Sequence, residues 1–247
     1  MSSTNAFDDK VESWKEHQDT PWSRLYYSIS QANLSRHMPK SERPLRFLDV
    51  GSGNGFDSIY YAEQGHQITL LDHSPAMLEE ARARAVAAGV DDQATYHLAP
   101  VAEIPSLLNA ARFDVVLCHG VAHYVEDLAS LLRCICHPLR SGGLLSLISI
   151  NRYSEPYREA LLWRDMDAVQ ARLNAQTAES RVFGTSIRLR TAHEVIDQLE
   201  EGGCTLVSQY GVRCVNDYIS DNDIKHDPVF FRELERLETA MSGQYPY

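Results

Sequence analysis

Leu45-Arg46-Phe47-Leu48-Asp49-Val50-Gly51-Ser52-Gly53-Asn54-Gly55 is the stretch that decides the fold. A short apolar run enters three glycines at alternate positions, and Ile59, Tyr60 and Ala62 follow at once on an apparent helix. The pattern predicts a strand, a glycine turn and a helix start. Glycine permits positive φ and close approach of backbone to a ligand, and the open N–H groups of a helix start favour a polar or anionic group. A nucleotide-like cofactor fits both properties. Asp49 narrows the choice, because a carboxylate near the end of the strand repels a pyrophosphate and attracts a cation.

S-adenosyl-L-methionine carries an α-ammonium group and a sulfonium, and has no phosphate. Asp49, Gly51, Gly53 and Gly55 match acid-x-Gly-x-Gly-x-Gly, and the stretch resembles motif I of the class I S-adenosylmethionine-dependent methyltransferases. A second apolar strand, Gln67-Ile68-Thr69-Leu70-Leu71-Asp72, also ends in an acid. In nucleotide folds of this topology that acid bonds both ribose hydroxyls, which are donors that need one bidentate acceptor. His73, next in sequence, is grouped with the cofactor contacts. Ser74-Pro75 supplies an N-cap and a first-turn proline for an alanine-rich helix that ends near Gly89.

Thr95-Tyr96-His97-Leu98-Ala99 reads as strand three. The resemblance implies that the following loop closes on the adenine, with Val101 and Ala102 against the ring and Glu103 either contacting the exocyclic amine or only beginning the next helix. Strand four, Arg112 to His119, delivers His119 to the carboxyl end of the sheet, where ligands bind in open parallel sheets. The run His119-Gly120-Val121-Ala122-His123-Tyr124-Val125-Glu126-Asp127 resembles motif IV of the superfamily. His119 is the candidate for cofactor or acceptor contact, and His119 or His123 is the candidate base for a hydroxyl acceptor. Each is also a residue type often found satisfied and partly buried.

Leu128, Leu131, Leu132 and Ile135 repeat at helical spacing, and Pro138, Gly142 and Gly143 lead into strand five, Leu144 to Ile150, from which Asn151-Arg152-Tyr153 emerges near the crevice. The alternation predicts an α/β fold with a doubly wound, mostly parallel, Rossmann-like sheet. Residues 1–40 are expected to form an N-terminal helical lid, 41–247 the methyltransferase domain, and 151–190 an insert after strand five that shapes the acceptor pocket. The lid pairs a helix around Phe7, Val11 and Trp14 with one through Leu25, Tyr26, Ile29 and Leu34, broken at Asp19-Thr20-Pro21-Trp22. Either Trp14, Trp22, Tyr26 and Tyr27 line the cleft and Arg24 reaches the methionine carboxylate, or these aromatics only anchor a leading helix. Thr191 to Glu194 has capping-box spacing, Cys204 to Val215 reads as strand six, and Asp227 to Met241 as an exposed helix.

The 247 residues suit one large α/β domain or a domain with a cap, and the hydrophobic fraction of 44% with 23% charged residues excludes a disordered chain. No apolar run approaches the ~20 residues needed to span a bilayer, and the polar, acidic N-terminus lacks a signal-peptide pattern. A net charge of −11 repels DNA and anionic membranes, leaving RNA binding to a local basic face. Cys118, Cys134, Cys136, Cys204 and Cys214 are odd in number and sit mostly in apolar segments, which predicts reduced thiols, a cytoplasmic location and no metal site.

From about Phe7 to Tyr247 the order of these pieces resembles the bacterial tRNA 5-carboxymethoxyuridine methyltransferase family. The carrying residues are Phe7-Asp8-Asp9, the Asp49–Gly55 turn, Gly65-His66-Gln67, Phe113-Asp114 through Asp127, Gly143 to Leu147 with Asn151, Gly211-Val212-Arg213 with Asp217-Tyr218, and Leu234-Glu235 with Leu237-Glu238. That family esterifies the carboxylate of a modified wobble uridine, so the resemblance implies S-adenosyl-L-methionine as donor and tRNA as acceptor, in a monomer or weak homodimer. A small-molecule carboxylate or hydroxyl is the alternative acceptor, and a cofactor-binding protein without transfer activity is the reading from another class. A carboxylate acceptor arrives ionised and needs an arginine clamp more than a base; Arg152, Arg188 and Arg190 are the candidates, while Arg181, Arg188 and Arg190 read equally as a solvated charge cluster. Two features differ from the family: Thr177 to Arg190 has arginines and no lysine, and the chain stops before an expected last strand.

Overall fold

The computed structural model describes residues 11–180 and 184–244. Phe7-Asp8-Asp9, the Arg181-Val182-Phe183 run and Tyr245-Pro246-Tyr247 lie outside the described residues. The chain divides into two compact units: one holds Met38–Ile150 and Thr177–Cys204, the other Glu12–His37, Asn151–Gln176 and the segment from Thr205 onward. The expected lid and most of the expected insert therefore fall in the second unit together with the C-terminal segment.

The first unit is built on five parallel strands, β1 (Arg46–Val50), β2 (Gln67–Asp72), β3 (Ala94–Leu98), β4 (Phe113–His119) and β5 (Leu139–Ile148), in the order β3-β2-β1-β4-β5. The chain moves outward from β1 to β3 and then returns to β4, so the order reverses between β1 and β4, and a crevice opens there at the carboxyl ends. Helices Phe56–Ala62, Pro75–Ala87 and Leu128–Cys136 connect the strands. Leu48, Val50, Leu71, Val116 and Cys118 pack with Ile104, Leu131, Leu132, Ile135 and Val195 in one buried cluster. β4 is buried from Phe113 to Cys118 without alternation, as expected of a parallel strand covered on both faces.

Several elements depart from the sequence reading. β5 begins at Leu139, five residues early, because a register shift between Phe113 and Val115 absorbs the glycine turn as a bulge, with Gly142 at φ +69°. Within the insert, Thr177–Glu179 (β6) and Ser186–Arg188 (β7) form an antiparallel hairpin. The stretch expected as strand six, Cys204 to Val215, is not a strand. Its backbone is used elsewhere: Gly211 donates to the Ser242 carbonyl at 2.8 Å and accepts from Ser242 Oγ at 2.6 Å, and Arg213 takes φ +58°, outside the extended region.

In the second unit, helix Pro21–Ser35 starts at Thr20, whose side chain accepts from the Ser23 amide, and Asp227 caps helix Pro228–Ser242 in the same way. Leu25, Ile29 and Leu234 form the centre of this unit, with Val212, Val215, Ile219, Phe230 and Phe231 packed on them. The C-terminal helix is thus amphipathic, with Leu234 and Glu238 buried, where an exposed helix was expected.

The N-terminal edge of the sheet is held by Asp114, which is 1% exposed. Its carboxylate accepts from Arg43 through both guanidinium nitrogens at 2.9 and 2.8 Å and from the Arg46 amide at 2.8 Å, and lies 2.6 Å from Arg140 Nε. Burial opposes the charge, but Arg43, the Arg46 amide and Arg140 together hold this carboxyl below its usual range. Its stabilisation is therefore present above the unfolded carboxyl value of about 4 and is lost as pH falls through the depressed native value. Asp114→Ala is expected to cost about 2–3 kcal/mol, the low side for a broken buried pair because both arginines can turn to water. That corresponds to a Tm lower by roughly 4–12 °C in thermal unfolding.

Candidate active site

The glycine turn follows β1 and bends back over β2. Gly51, Gly53 and Gly55 have φ of +67°, +51° and +71°, and the amides of Gly51 and Ser52 both donate to the Leu71 carbonyl. At Gly51 a Cβ would sit 2.4 Å from Val121 Cγ2, so the close approach of the loop after β4 requires glycine; at Gly53 a Cβ would meet open space.

Asp72, at the end of β2, accepts from the Gly53 amide through Oδ2 at 2.8 Å and from the Ser74 amide through Oδ1 at 2.9 Å. His73 Nδ1 stands 3.3 Å from Oδ1. The carboxylate thereby fixes the turn, and each oxygen retains acceptor capacity that suits a vicinal diol. Asp49, one strand over, is 3% exposed, and its Oδ2 has no hydrogen-bond partner among the described residues. Burial, reinforced by the Asp57 charge, pushes Asp49 up to about 7. An orphaned buried carboxylate oxygen beside a glycine cradle is what the ammonium group of S-adenosyl-L-methionine would satisfy, so these residues fit that cofactor.

His119 ends β4 with its side chain 4% exposed, Nδ1 3.2 Å from Asp57 Oδ2 and Nε2 2.8 Å from Ser146 Oγ. Burial disfavours its charge, yet the carboxylates of Asp57 and Asp49 outweigh it and hold the imidazole above its ordinary value. His123 is buried, and burial with the Arg190 charge pushes it down to about 4, which leaves it a weak base. Val101 is half-buried against the core cluster at the start of the short helical turn after β3.

The arginines separate. Arg190 donates to the carbonyls of Ala122, Val125 and Glu126, and Arg188 pairs with Glu126, so both are engaged in bracing the loop after β4. Arg24, exposed on helix Pro21–Ser35, and half-buried Arg152 belong to the second unit. Asp57 and Ser146 are site residues that the sequence reading missed. Asp57 carried a usable signal: an acid in the first turn of the helix after a glycine loop places a fixed negative charge where a phosphate-binding loop would keep its amides open.

Residues 41–203 match the family model for a methyltransferase domain. The tRNA 5-carboxymethoxyuridine methyltransferase of Escherichia coli (strain K12) is 31% identical over 248 residues, covering 98% of this chain and 90% of that protein. A ubiquinone biosynthesis O-methyltransferase of Methylocella silvestris is 31% identical over 137 residues, 56% of this chain and 52% of its own length. Among solved structures, the Burkholderia thailandensis 1,6-didemethyltoxoflavin-N1-methyltransferase, with bound S-adenosylhomocysteine, shares the fold at a TM-score of 0.55 and 22% identity, covering 88% of this chain and 87% of that one. With the parallel sheet and its glycine turn, these matches establish that the chain belongs to the class I S-adenosylmethionine-dependent methyltransferases.

Proposed function

We propose that the protein esterifies the carboxylate of 5-carboxymethoxyuridine in tRNA. The observation that carries this reading is the similarity to a protein of that name along 98% of the chain, both units included. The geometry supports a carboxylate over a hydroxyl. His123 is a weak base, and His119, although held above its ordinary value, already has Asp57 and Ser146 at its two ring nitrogens, so neither of these two histidines stands open to a hydroxyl. A carboxylate is already ionised at neutral pH and needs only alignment.

S-adenosyl-L-methionine supplies a methyl group on a sulfonium, with neutral sulfur as the leaving group. Asp49 is assigned to its ammonium, Asp72 to the ribose hydroxyls, with His73 beside it, and the Gly51–Gly53 backbone to close approach. Val101 is assigned to the adenine. His119, tied between Asp57 and Ser146, holds the end of β4 against the turn. Arg24 and Arg152 of the second unit are assigned to the methionine carboxylate and to the acceptor, as the sequence suggested, and the N-terminal helices to a lid. Tyr153, Tyr157 and Trp163 are more than half exposed and alternate with Arg152, Arg158 and Arg164, a composition that suits stacking of unpaired bases in an acidic protein.

Asp72→Ala is expected to weaken S-adenosylhomocysteine binding about 10- to 100-fold by titration calorimetry, and unchanged affinity removes the ribose assignment. Because the cation needs Asp49 ionised, wild-type affinity is expected to fall by up to about tenfold per unit below pH 7, and Asp49→Asn to bind weakly with no such dependence. A flat wild-type profile from pH 5.5 to 8 contradicts the Asp49 role. Transfer of labelled methyl to tRNA is expected to weaken steeply with added salt, as phosphate contacts require; transfer to a small acid with tRNA ignored contradicts the substrate.

A further inference from the structure

Helix Ala192–Glu201 ends in two glycines, which decide where the next residue goes. Gly203 takes φ +85°, its amide donates to the Glu200 carbonyl at 3.0 Å, and the Cys204 amide donates to the Leu199 carbonyl at 2.9 Å. This paired closure of a helix end turns the chain back over the last turn, so backbone hydrogen bonds hold Cys204 against its own helix. Cys136 is the last residue of helix Leu128–Cys136, which stops just before Pro138. Val195 belongs to the same buried cluster as Leu131, Leu132 and Ile135, with Leu199 and Cys136 packed on it. The two helices are therefore neighbours.

Where their carboxyl ends meet, Cys136 Sγ lies 3.7 Å from Cys204 Sγ, although the residues are 68 positions apart. Cys118 and Cys134 are buried, whereas Cys136 and Cys204 are both half-buried, within reach of a small reagent. Cys214 belongs to the second unit, while Cys136 and Cys204 both belong to the first. A disulfide bond is about 2.0 Å long, so the sulfurs have a short distance to close, one that rotation of two side chains at helix ends can supply. The Pro138 carbonyl accepts from the Phe113 amide at 2.9 Å, at the start of β4, which puts Cys136 at the amino edge of the sheet, opposite the crevice.

We propose that Cys136 and Cys204 are a reversible redox site that closes to an intramolecular disulfide, with a low-molecular-weight disulfide as the oxidant. Burial and the neighbouring Cys204 sulfur push the Cys136 thiol up to about 12, so the first attack falls to Cys204. Its thiolate displaces one thiolate from the small disulfide and forms a mixed disulfide. Cys136 then gives up its proton and attacks the Cys204 sulfur, releasing the second small thiol. Two protein thiols are oxidised and one small disulfide is reduced to two thiols. The bridge closes a covalent loop that contains β5, the insert with its β6–β7 hairpin, and helix Ala192–Glu201, and so restricts the unfolded chain.

The test treats full-length protein with glutathione disulfide, then counts free thiols, measures intact mass and follows thermal unfolding. Two of the five thiols are expected to be lost, with the protein lighter by two hydrogens and no glutathione retained. The Tm is expected to rise by about 5–10 °C, and dithiothreitol to reverse every change. Cys136→Ser and Cys204→Ser are each expected to lose the bridge and the Tm gain. Cys134→Ser is expected to keep both, which separates Cys136 from the cysteine two positions earlier on the same helix. When reduced, all three variants should unfold within about 3 °C of reduced wild type. Five free thiols after treatment, glutathione retained on the wild-type protein, or a bridge that persists in Cys136→Ser overturns the proposal.

Discussion

The hydrogen bond from the Gly53 amide to Asp72 Oδ2 joins the first strand crossover to the second, and the site depends on it. It ties the apex of the glycine turn to the end of β2, so the two acids that define the site are positioned by one another's loops. The left-handed glycines make the approach sterically possible, and the parallel register of β1 with β2, Asp49 opposite Leu70 and Val50 opposite Leu71, sets the spacing. Without that tie, Asp72 would be a solvated residue at a strand end and the turn would be an ordinary loop.

Negative charge is then concentrated in the crevice by design of the fold. Burial, with the neighbouring charges of Asp57 and Asp72, raises Asp49 toward neutrality. His119 partly neutralises the cluster through Asp57. Such a site rejects a pyrophosphate and rewards a cationic ligand, which is the electrostatic reason that the same strand order serves a sulfonium cofactor here and dinucleotides elsewhere. In the same arrangement the charge of His119, at the end of β4, is balanced by neighbouring carboxylates.

The central sheet was legible in the sequence because β1, β2 and β4 are apolar runs whose ends carry unlike chemistry, Asp49, Asp72 and His119, at the crevice. Asp57 escaped because its role comes from the register of helix Phe56–Ala62 over His119, which periodicity does not report. Arg188 and Arg190 are candidates for an anion clamp by composition, with a solvated charge cluster as the alternative; their partners are the carboxylate and carbonyls of the motif IV loop, brought near by the β6–β7 hairpin. The Cys204–Val215 stretch has the alternation of a strand, yet its fate is decided by Ser242 and Glu238 at the far end of the sequence, which take its backbone groups. Tertiary competition for hydrogen bonds, invisible in a local window, overrode local propensity.

The claim that organises this account is ester formation on a tRNA carboxylate, and an ester differs from every other methylated product in its lability to base. Incubating full-length protein with isotopically labelled S-adenosyl-L-methionine and tRNA that carries 5-carboxymethoxyuridine, followed by mild alkali, measures this directly. The account predicts label incorporated into the tRNA and then released as methanol, with the nucleoside returned to its free acid. Label that survives alkali, or tRNA that never acquires label, would contradict it.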